Sequence, residues 1–274
     1  DSGQWFTLPG QGPAWSDAAG WSAPRYYETI QTADIDGDGR AELLGLGPDG
    51  LEAWRYDAAG QEWQRLAAPQ PLNAISDDPS HYLTLQCADI DGDGRDELVG
   101  RSSGGLHGWK WTGSGWAVLP TVAALSDQAG FVLPQYYTTI QLADVDGDGR
   151  AELLARFPDG MHGWKLVGTG GAQIATNTRV SDTEGWMAPG SFLTLQCADI
   201  DGDGHAELIG LGAGGVQAWR YTALAAWTPL ATLSAVSQAG GWLNPQYALT
   251  IQCADIDGDG RAELIARGSG GIRA

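Results

Sequence analysis

The sequence is poor in several features that would settle its class at once. Cysteine is scarce: only Cys87, Cys197 and Cys253 occur, at one recurring position that elsewhere holds Thr32 or Leu142. An odd number of thiols, at a place that also accepts Thr and Leu, reads as buried free cysteine and excludes a disulfide frame. No apolar run approaches the ~18 residues of a membrane helix, so membrane insertion is not expected. Positive charge is sparse, with 15 Lys and Arg against 34 Asp and Glu, a formal net charge of −19. No basic patch is present, which excludes a nucleic-acid partner. No G-x-S-x-G, H-E-x-x-H or Ser-His-Asp set stands out, so catalysis has little support. Helical periodicity never lasts more than a turn or two. The chain opens Asp1-Ser2-Gly3 without a signal-peptide pattern. Gly and Pro, 41 and 13 residues, stay below the level of a low-complexity chain. Thirteen Trp are more than a disordered chain would hold.

What is present is a repeat. Asp34-Ile35-Asp36-Gly37-Asp38-Gly39-Arg40-Ala41-Glu42 returns at Asp89, Asp144, Asp199 and Asp255, at intervals of 55, 55, 55 and 56 residues. So regular a period marks a repeat architecture and outranks the length prior for two domains. Carboxylates stand at relative positions 1, 3, 5 and 9. Like charges this close repel by several kcal/mol unless a cation lies between them. Gly37 and Gly39 give the backbone freedom to curl alternate side chains onto one point. The offered ligands are hard oxygens, which selects Ca²⁺ over zinc or copper, and the position-7 carbonyl would complete a shell of roughly six or seven oxygens. An EF-hand needs a Glu at position 12; here that position is Gly45, Gly100, Ala155, Gly210 and Ala266. The bland reading is a solvated acidic turn, and five copies of the same four acids weigh against it. The loops hold four acids each, twenty of the 34, so the acidity belongs to them and says nothing about partners. Five bound Ca²⁺ would bring the charge from −19 to −9.

Around each loop the sequence reads as four short strands. In the first copy these are Thr29–Ala33, Glu42–Leu46, Leu51–Tyr56 and Trp63–Leu66, with a Pro48-Asp49-Gly50 turn. The fourth strand of the third copy is degenerate near Ala172-Gln173-Ile174. The last copy stops after three strands, whereas residues 1–8 carry a lone fourth strand ending Trp5-Phe6-Thr7-Leu8. The expectation is an all-β fold, a five-bladed β-propeller of four-stranded antiparallel blades near 24–66, 79–119, 134–175, 190–230 and 245–274 plus 1–8. The N-terminal strand would pair with the C-terminal blade and close the ring, making 1–274 a single domain without open edges. A solenoid would need polar capping repeats at its ends, and none is evident.

D-x-D-G-D-G-x-x-E between two strands, followed by a hydrophobic strand and a Gly-rich turn, resembles the FG-GAP/VCBS repeat. That repeat builds integrin α-subunit propellers and calcium-containing fungal lectins of the Psathyrella velutina type. The resemblance covers essentially the whole chain. Two features depart from it: those relatives are usually seven-bladed, and their ninth loop position is often Asp, where this chain always has Glu. The resemblance implies about five structural Ca²⁺. The implied ligands are Asp34, Asp36, Asp38, Glu42 and the carbonyl of Arg40; Asp89, Asp91, Asp93, Glu97 and Arg95; Asp144, Asp146, Asp148, Glu152 and Arg150; Asp199, Asp201, Asp203, Glu207 and His205; and Asp255, Asp257, Asp259, Glu263 and Arg261.

Trp21, Phe131, Trp186 and Trp242 share one place in the inter-blade linker. They read either as sugar-stacking platforms or as plugs between blades. Arg25, His81, Gln135 and Gln246 follow them and could hydrogen-bond hydroxyls, or be solvated loop residues. Trp54, Trp109, Trp164 and Trp219 read as inter-blade core; two residues earlier, Glu52, His107, His162 and Gln217 vary among polar types and read as ligand-facing or solvated. Gln31, Gln86, Gln141, Gln196 and Gln252 either line a channel or bond backbone between blades. Near-equal repeats suit multivalent binding better than one active site. The expected function is a calcium-stabilised carbohydrate-binding protein, a multivalent lectin with repeated sites between blades. It is expected to be secreted, monomeric and directed at carbohydrate or glycoprotein. The alternative is a protein-interaction or adhesion propeller module of a larger secreted or surface protein; a propeller lyase or hydrolase ranks third.

Overall fold

A computed structural model describes residues 7–167, 170–222 and 226–274. It is a five-bladed β-propeller of antiparallel meanders. Blade 1 is β1 (Gln31–Ala33), β2 (Glu42–Gly47), β3 (Gly50–Asp57) and β4 (Glu62–Arg65). Blade 2 is β5 (Gln86–Ala88), β6 (Glu97–Ser102), β7 (Gly105–Trp111) and β8 (Trp116–Val122). Blade 3 is β9 (Gln141–Ala143), β10 (Glu152–Phe157), β11 (Gly160–Val167) and β12 (Gly170–Asn177). Blade 4 is β13 (Gln196–Ala198), β14 (Glu207–Gly212), β15 (Gly215–Thr222) and β16 (Ala226–Pro229). Blade 5 shows β17 (Gln252–Ala254), β18 (Glu263–Gly268) and β19 (Gly271–Arg273). The strand expected at residues 5–8 begins in the undescribed stretch 1–6; Thr7 and Leu8 are coil. The degenerate fourth strand of blade 3 is in fact eight residues long, pairing Leu166 with Gly171 and Trp164 with Gln173.

After their first Glu, the second strands run through three apolar or glycine residues, because neighbouring blades cover both of their faces: every residue of β6 and β14 is buried. Leu153, Leu154 and Ala155 of β10 are likewise inaccessible. The fourth strands of blades 1 and 4 are the most exposed of their blades, with residues that are exposed or only partly buried.

The first strands are shorter than the sequence suggests. A one-turn helix precedes each, at α1 (Pro24–Tyr27), α2 (Pro79–Tyr82), α3 (Pro134–Tyr137), α4 (Pro189–Phe192) and α5 (Pro245–Ala248). Each starts on a proline, whose fixed φ and missing N–H suit a first helical position. Two residues past each helix stands a Thr that ties the helix to the second strand. Thr139 Oγ1 donates to the Tyr136 carbonyl (2.7 Å) and accepts the Arg156 N–H (3.0 Å). Thr29, Thr84, Thr194 and Thr250 make the same pair of bonds. Thr139 is fully buried. Thr139→Val would strand the buried Arg156 N–H, since the Tyr136 carbonyl keeps the Thr139 N–H, and urea denaturation should show a loss of about 1–3 kcal/mol.

Successive blades are joined by one repeated backbone bond. Asp96 N donates to Asp34 O (2.8 Å), Ala151 to Asp89 (2.8 Å), Ala206 to Asp144 (2.8 Å) and Ala262 to Asp199 (2.7 Å). The glutamine ring adds to it: Nε2 of Gln86, Gln141 and Gln196 donates to the carbonyls of Ile140, Leu195 and Ile251 in the next blade. These three glutamines therefore bond backbone between blades. Among the described residues, neither bond recurs between blades 5 and 1. Ile256, at the second loop position of blade 5, is 56% exposed where Ile35 is fully buried.

Candidate functional site

The first Asp of each loop organises its curl. Asp34 accepts N–H bonds from Gly37 (2.8 Å) and Gly39 (2.8 Å), and Asp89, Asp144, Asp199 and Asp255 repeat both. Gly37 and Gly39 adopt φ of 76° and 83°, which side chains rarely tolerate. The ninth-position Glu folds back from the second strand: Glu42 Oε2 accepts the Ile35 N–H (3.1 Å), and Glu97, Glu152, Glu207 and Glu263 do the same at their loops. Oxygens of Asp34, Asp36 and Glu42 converge within 4.8 Å, as do those of Asp89, Asp91 and Glu97 and of Asp144, Asp146 and Glu152. In blades 4 and 5 the converging sets are Asp199, Asp201 and Asp203, and Asp255, Asp257 and Asp259. Of the three remaining fifth-position acids, Asp38 and Asp148 accept the backbone N–H of Arg40 and Arg150, and Asp93 pairs with Lys110. Arg95, Arg150, His205 and Arg261, chosen for their carbonyls, send their side chains across the preceding loop. A Cβ on Gly37 would lie 3.0 Å from Arg95 Cγ, and one on Gly147 2.1 Å from His205 Nε2.

Burial, and then the charge of Asp36, pushes Glu42 up to about 7. Burial does the same to Glu152, with Asp146 adding to it, again to about 7. Glu97 and Glu207 are raised by burial as well. Oε1 of Glu42 and Oδ1 of Asp146 are buried without a hydrogen-bond partner, whereas Glu97 Oε1 meets Lys110 Nζ. A buried carboxylate oxygen left unpaired is costly, and both acids belong to clusters a hard cation would fill. The oxygens thus fit Ca²⁺.

A feature missed in the sequence is the base that follows each third-strand Trp. Lys110 Nζ lies 2.5 Å from Asp91, 2.8 Å from Asp93 and 2.9 Å from Glu97. Lys165 pairs with Asp146 and, at 2.7 Å, with Asp148. Arg220 pairs with Asp201 and, at 2.9 Å, with Glu207; Arg55 reaches Asp36 at 2.9 Å. Hydrogen bonds to Asp146 and Asp148 hold the Lys165 ammonium above its ordinary range. The recurring Trp-Arg or Trp-Lys pair was visible; that it points at the loop was not.

The ligand candidates need correcting. Trp21, Phe131, Trp186 and Trp242 are between 1% and 8% exposed, too enclosed to stack on a sugar. They plug the space against small residues of the second strand: a Cβ on Gly47 would fall 2.5 Å from the Trp21 ring, and one on Gly210 2.7 Å from Trp186. His81 is buried too, with Nδ1 2.6 Å from Ser76 Oγ and Nε2 3.3 Å from Asp127. That set looks triad-like, but Ser76 Oγ also accepts the Asp78 N–H and Asp127 is held by Arg101. Arg25 is paired with Asp77. Gln135 and Gln246 offer their carbonyls to Arg156 and Arg267; only the Gln246 side chain stands in solvent. The variable polar position before the Trp fares better. Gln217 and Trp219 line a pocket of about 230 Å³ with Arg179, Glu184 and Thr232. Glu52 accepts from the indoles of Trp15 (3.3 Å) and Trp54 (2.9 Å).

The three cysteines are free and half-buried, and burial pushes the Cys253 thiol up to about 11. No helix among the described residues is long and apolar enough to cross a membrane.

The model of the FG-GAP-like repeat matches residues 34–99, 89–155 and 199–266. No curated protein sequence matches the chain. Among solved structures it is similar to an Agrocybe aegerita lectin, studied for specific recognition of non-reducing terminal N-acetylglucosamine. The TM-score is 0.74 at 18% identity, over 97% of this chain and 66% of the lectin's. It is also similar to the Photorhabdus luminescens Tc holotoxin pore, with a TM-score of 0.52 at 19% identity, over 89% of this chain and 11% of that one. The chain spans less than two thirds of either structure's own length. At such identities the likeness is one of fold.

Proposed function

The chain belongs to the FG-GAP-like repeat family, and from that premise we propose a secreted, calcium-stabilised propeller that binds carbohydrate at blade junctions. The carbohydrate reading is carried by the pocket of Gln217, Trp219, Arg179, Glu184 and Thr232. It offers a sugar several hydrogen-bonding residues, Gln217, Arg179, Glu184 and Thr232, around a wall backed by the buried Trp219. The lectin neighbour supports the same reading. Because Glu52 and His162 occupy the position of Gln217 in blades 1 and 3, those blades present variants of this site, and several weak sites would act together on a multivalent glycan.

Calcium would be held by the loop carboxylates, in blade 1 Asp34, Asp36, Asp38 and Glu42. The unpaired Glu42 Oε1 and Asp146 Oδ1 support that assignment. Its role is structural, since it would neutralise acids that otherwise repel. Shallow loop sites suit the millimolar calcium outside cells.

A glycan array followed by calorimetry in calcium tests the reading. Binding to a defined glycan is expected, and Gln217→Ala and Arg179→Ala should each weaken it about tenfold or more, about 1.4 kcal/mol. Silence across all glycans would sink the carbohydrate reading, and capture of an unglycosylated protein instead would favour the adhesion module. Affinity unchanged in both variants would move the site elsewhere.

A further inference from the structure

The third strand of each of the first four blades carries a residue two places after its Trp, facing a fixed partner on the fourth strand. The pairs are Tyr56 with Trp63, Trp111 with Trp116, Leu166 with Gly171 and Tyr221 with Trp227. Three are aromatic pairs meeting edge to face at 5.4–5.5 Å. Blade 3 alone has no ring at either place. The pairs of blades 2 and 4 pack into the junction with the blade before. Trp111 and Trp116 join the core shared with Leu44, Leu46 and Leu51 of blade 1. Tyr221 and Trp227 join the core of Leu154 and Met161, and the Trp227 indole donates to the Ala175 carbonyl (2.7 Å) of blade 3.

Between blades 2 and 3 there is a cavity of about 310 Å³ at the corresponding place. Leu166 and Gly171 form its blade-3 wall; Val99, Leu106, Leu119 and Val122 form its blade-2 wall. His107, Asp91 and Arg150 also line it, and it includes Pro120, which is exposed and gives it access to solvent. Its size falls in the lower range of small-molecule pockets, which are mostly apolar with few polar groups. A mostly apolar pocket of this kind gains from an apolar guest that displaces its water.

We propose that this junction is a binding site for a small aromatic molecule of indole size, seated where the flanking junctions hold their own aromatic pair. The ring would regain the contacts that Leu166 and Gly171 leave unmade, and the Asp91–Arg150 lining would admit one polar substituent. This site is distinct from the sugar pocket at Gln217, so either can fail without the other.

Indole is the probe, with binding to the calcium-loaded chain followed by calorimetry and by ligand-observed NMR. One saturable site is expected, unaffected by excess of any glycan the array identifies. Leu166→Trp, which supplies a ring from the blade-3 wall, should reduce indole affinity at least tenfold and raise the melting temperature. Leu119→Trp, which fills the space from the opposite wall, should also lose binding, so a folding defect in one variant leaves the other informative. The exposed Val118→Ala should bind as the parent does. No saturable binding to the parent, or equal binding to parent and both filled variants, would overturn the proposal.

Discussion

Chelation by EDTA is expected to lower the melting temperature on the order of 20 °C. Each ion held at about a hundred times its dissociation constant contributes about 2.7 kcal/mol. In a chain of this size each kcal/mol is worth roughly 2 °C, and there are five loops. The metal-free protein should also acquire a pH dependence that calcium removes. Glu42 and Glu152 carry folded-state values near 7 against an ordinary 4.5. An acid raised in the fold contributes stability below the unfolded value, and that stability is lost as pH rises through the folded value. In EDTA the protein should therefore melt lower at pH 8 than at pH 5, by about 1–2 kcal/mol for each Glu after solvent screening. With calcium bound, the ionised form is the favoured one and the difference should vanish. Calorimetric melts at both pH values, with and without calcium, check this. An unchanged transition in EDTA would mean that Lys110, Lys165 and Arg220 suffice to hold the loops.

The second large effect concerns a buried charge. At one place in the second strand the blades carry Leu46, Arg101, Arg156, Leu211 and Arg267. Arg156 is fully buried; it donates to the Val180 carbonyl (2.7 Å) and pairs with Asp182, which also accepts the Tyr136 hydroxyl (2.8 Å). Asp182→Ala would leave a buried guanidinium without its counter-ion and should cost about 3–5 kcal/mol. The double variant Arg156→Leu/Asp182→Gln adopts the solution of blade 4, where Leu211 goes with Gln238, and should change stability by less than about 1 kcal/mol, because replacing a whole buried ion pair by well-packed uncharged groups is often neutral. Urea denaturation of both variants measures the contrast. Equal losses would show that the guanidinium is needed for its shape and backbone bonds rather than its charge.

Much of this was legible because the period is long and the loop chemistry is unambiguous. The five loops, the strands flanking them and the propeller follow from the spacing of Asp34, Asp89, Asp144, Asp199 and Asp255. The one-turn helices were not legible, since four residues cannot display a 3.6-residue period; their one local signal was the proline at Pro24, Pro79, Pro134, Pro189 and Pro245. The linker aromatics illustrate a different limit. An aromatic among glycines looks alike whether those glycines expose the ring or make room for it, and Gly47 beside Trp21 makes room. The cavity between blades 2 and 3 was visible as a gap in a column of aromatics, Leu166 and Gly171, but its meaning depended on knowing that Trp111 and Trp116 face the neighbouring sheet.

The bond from Asp96 to Asp34 and its three copies are chemically interchangeable. While the chain folds, any blade can therefore dock on the wrong neighbour and find almost the same partners, with only side-chain differences such as Trp111 against Leu166 to reject the error. Nearly identical adjacent units are prone to such mispairing and to exchange between molecules. Refolding at high protein concentration should accordingly be slower and yield more entangled dimers than refolding at dilution.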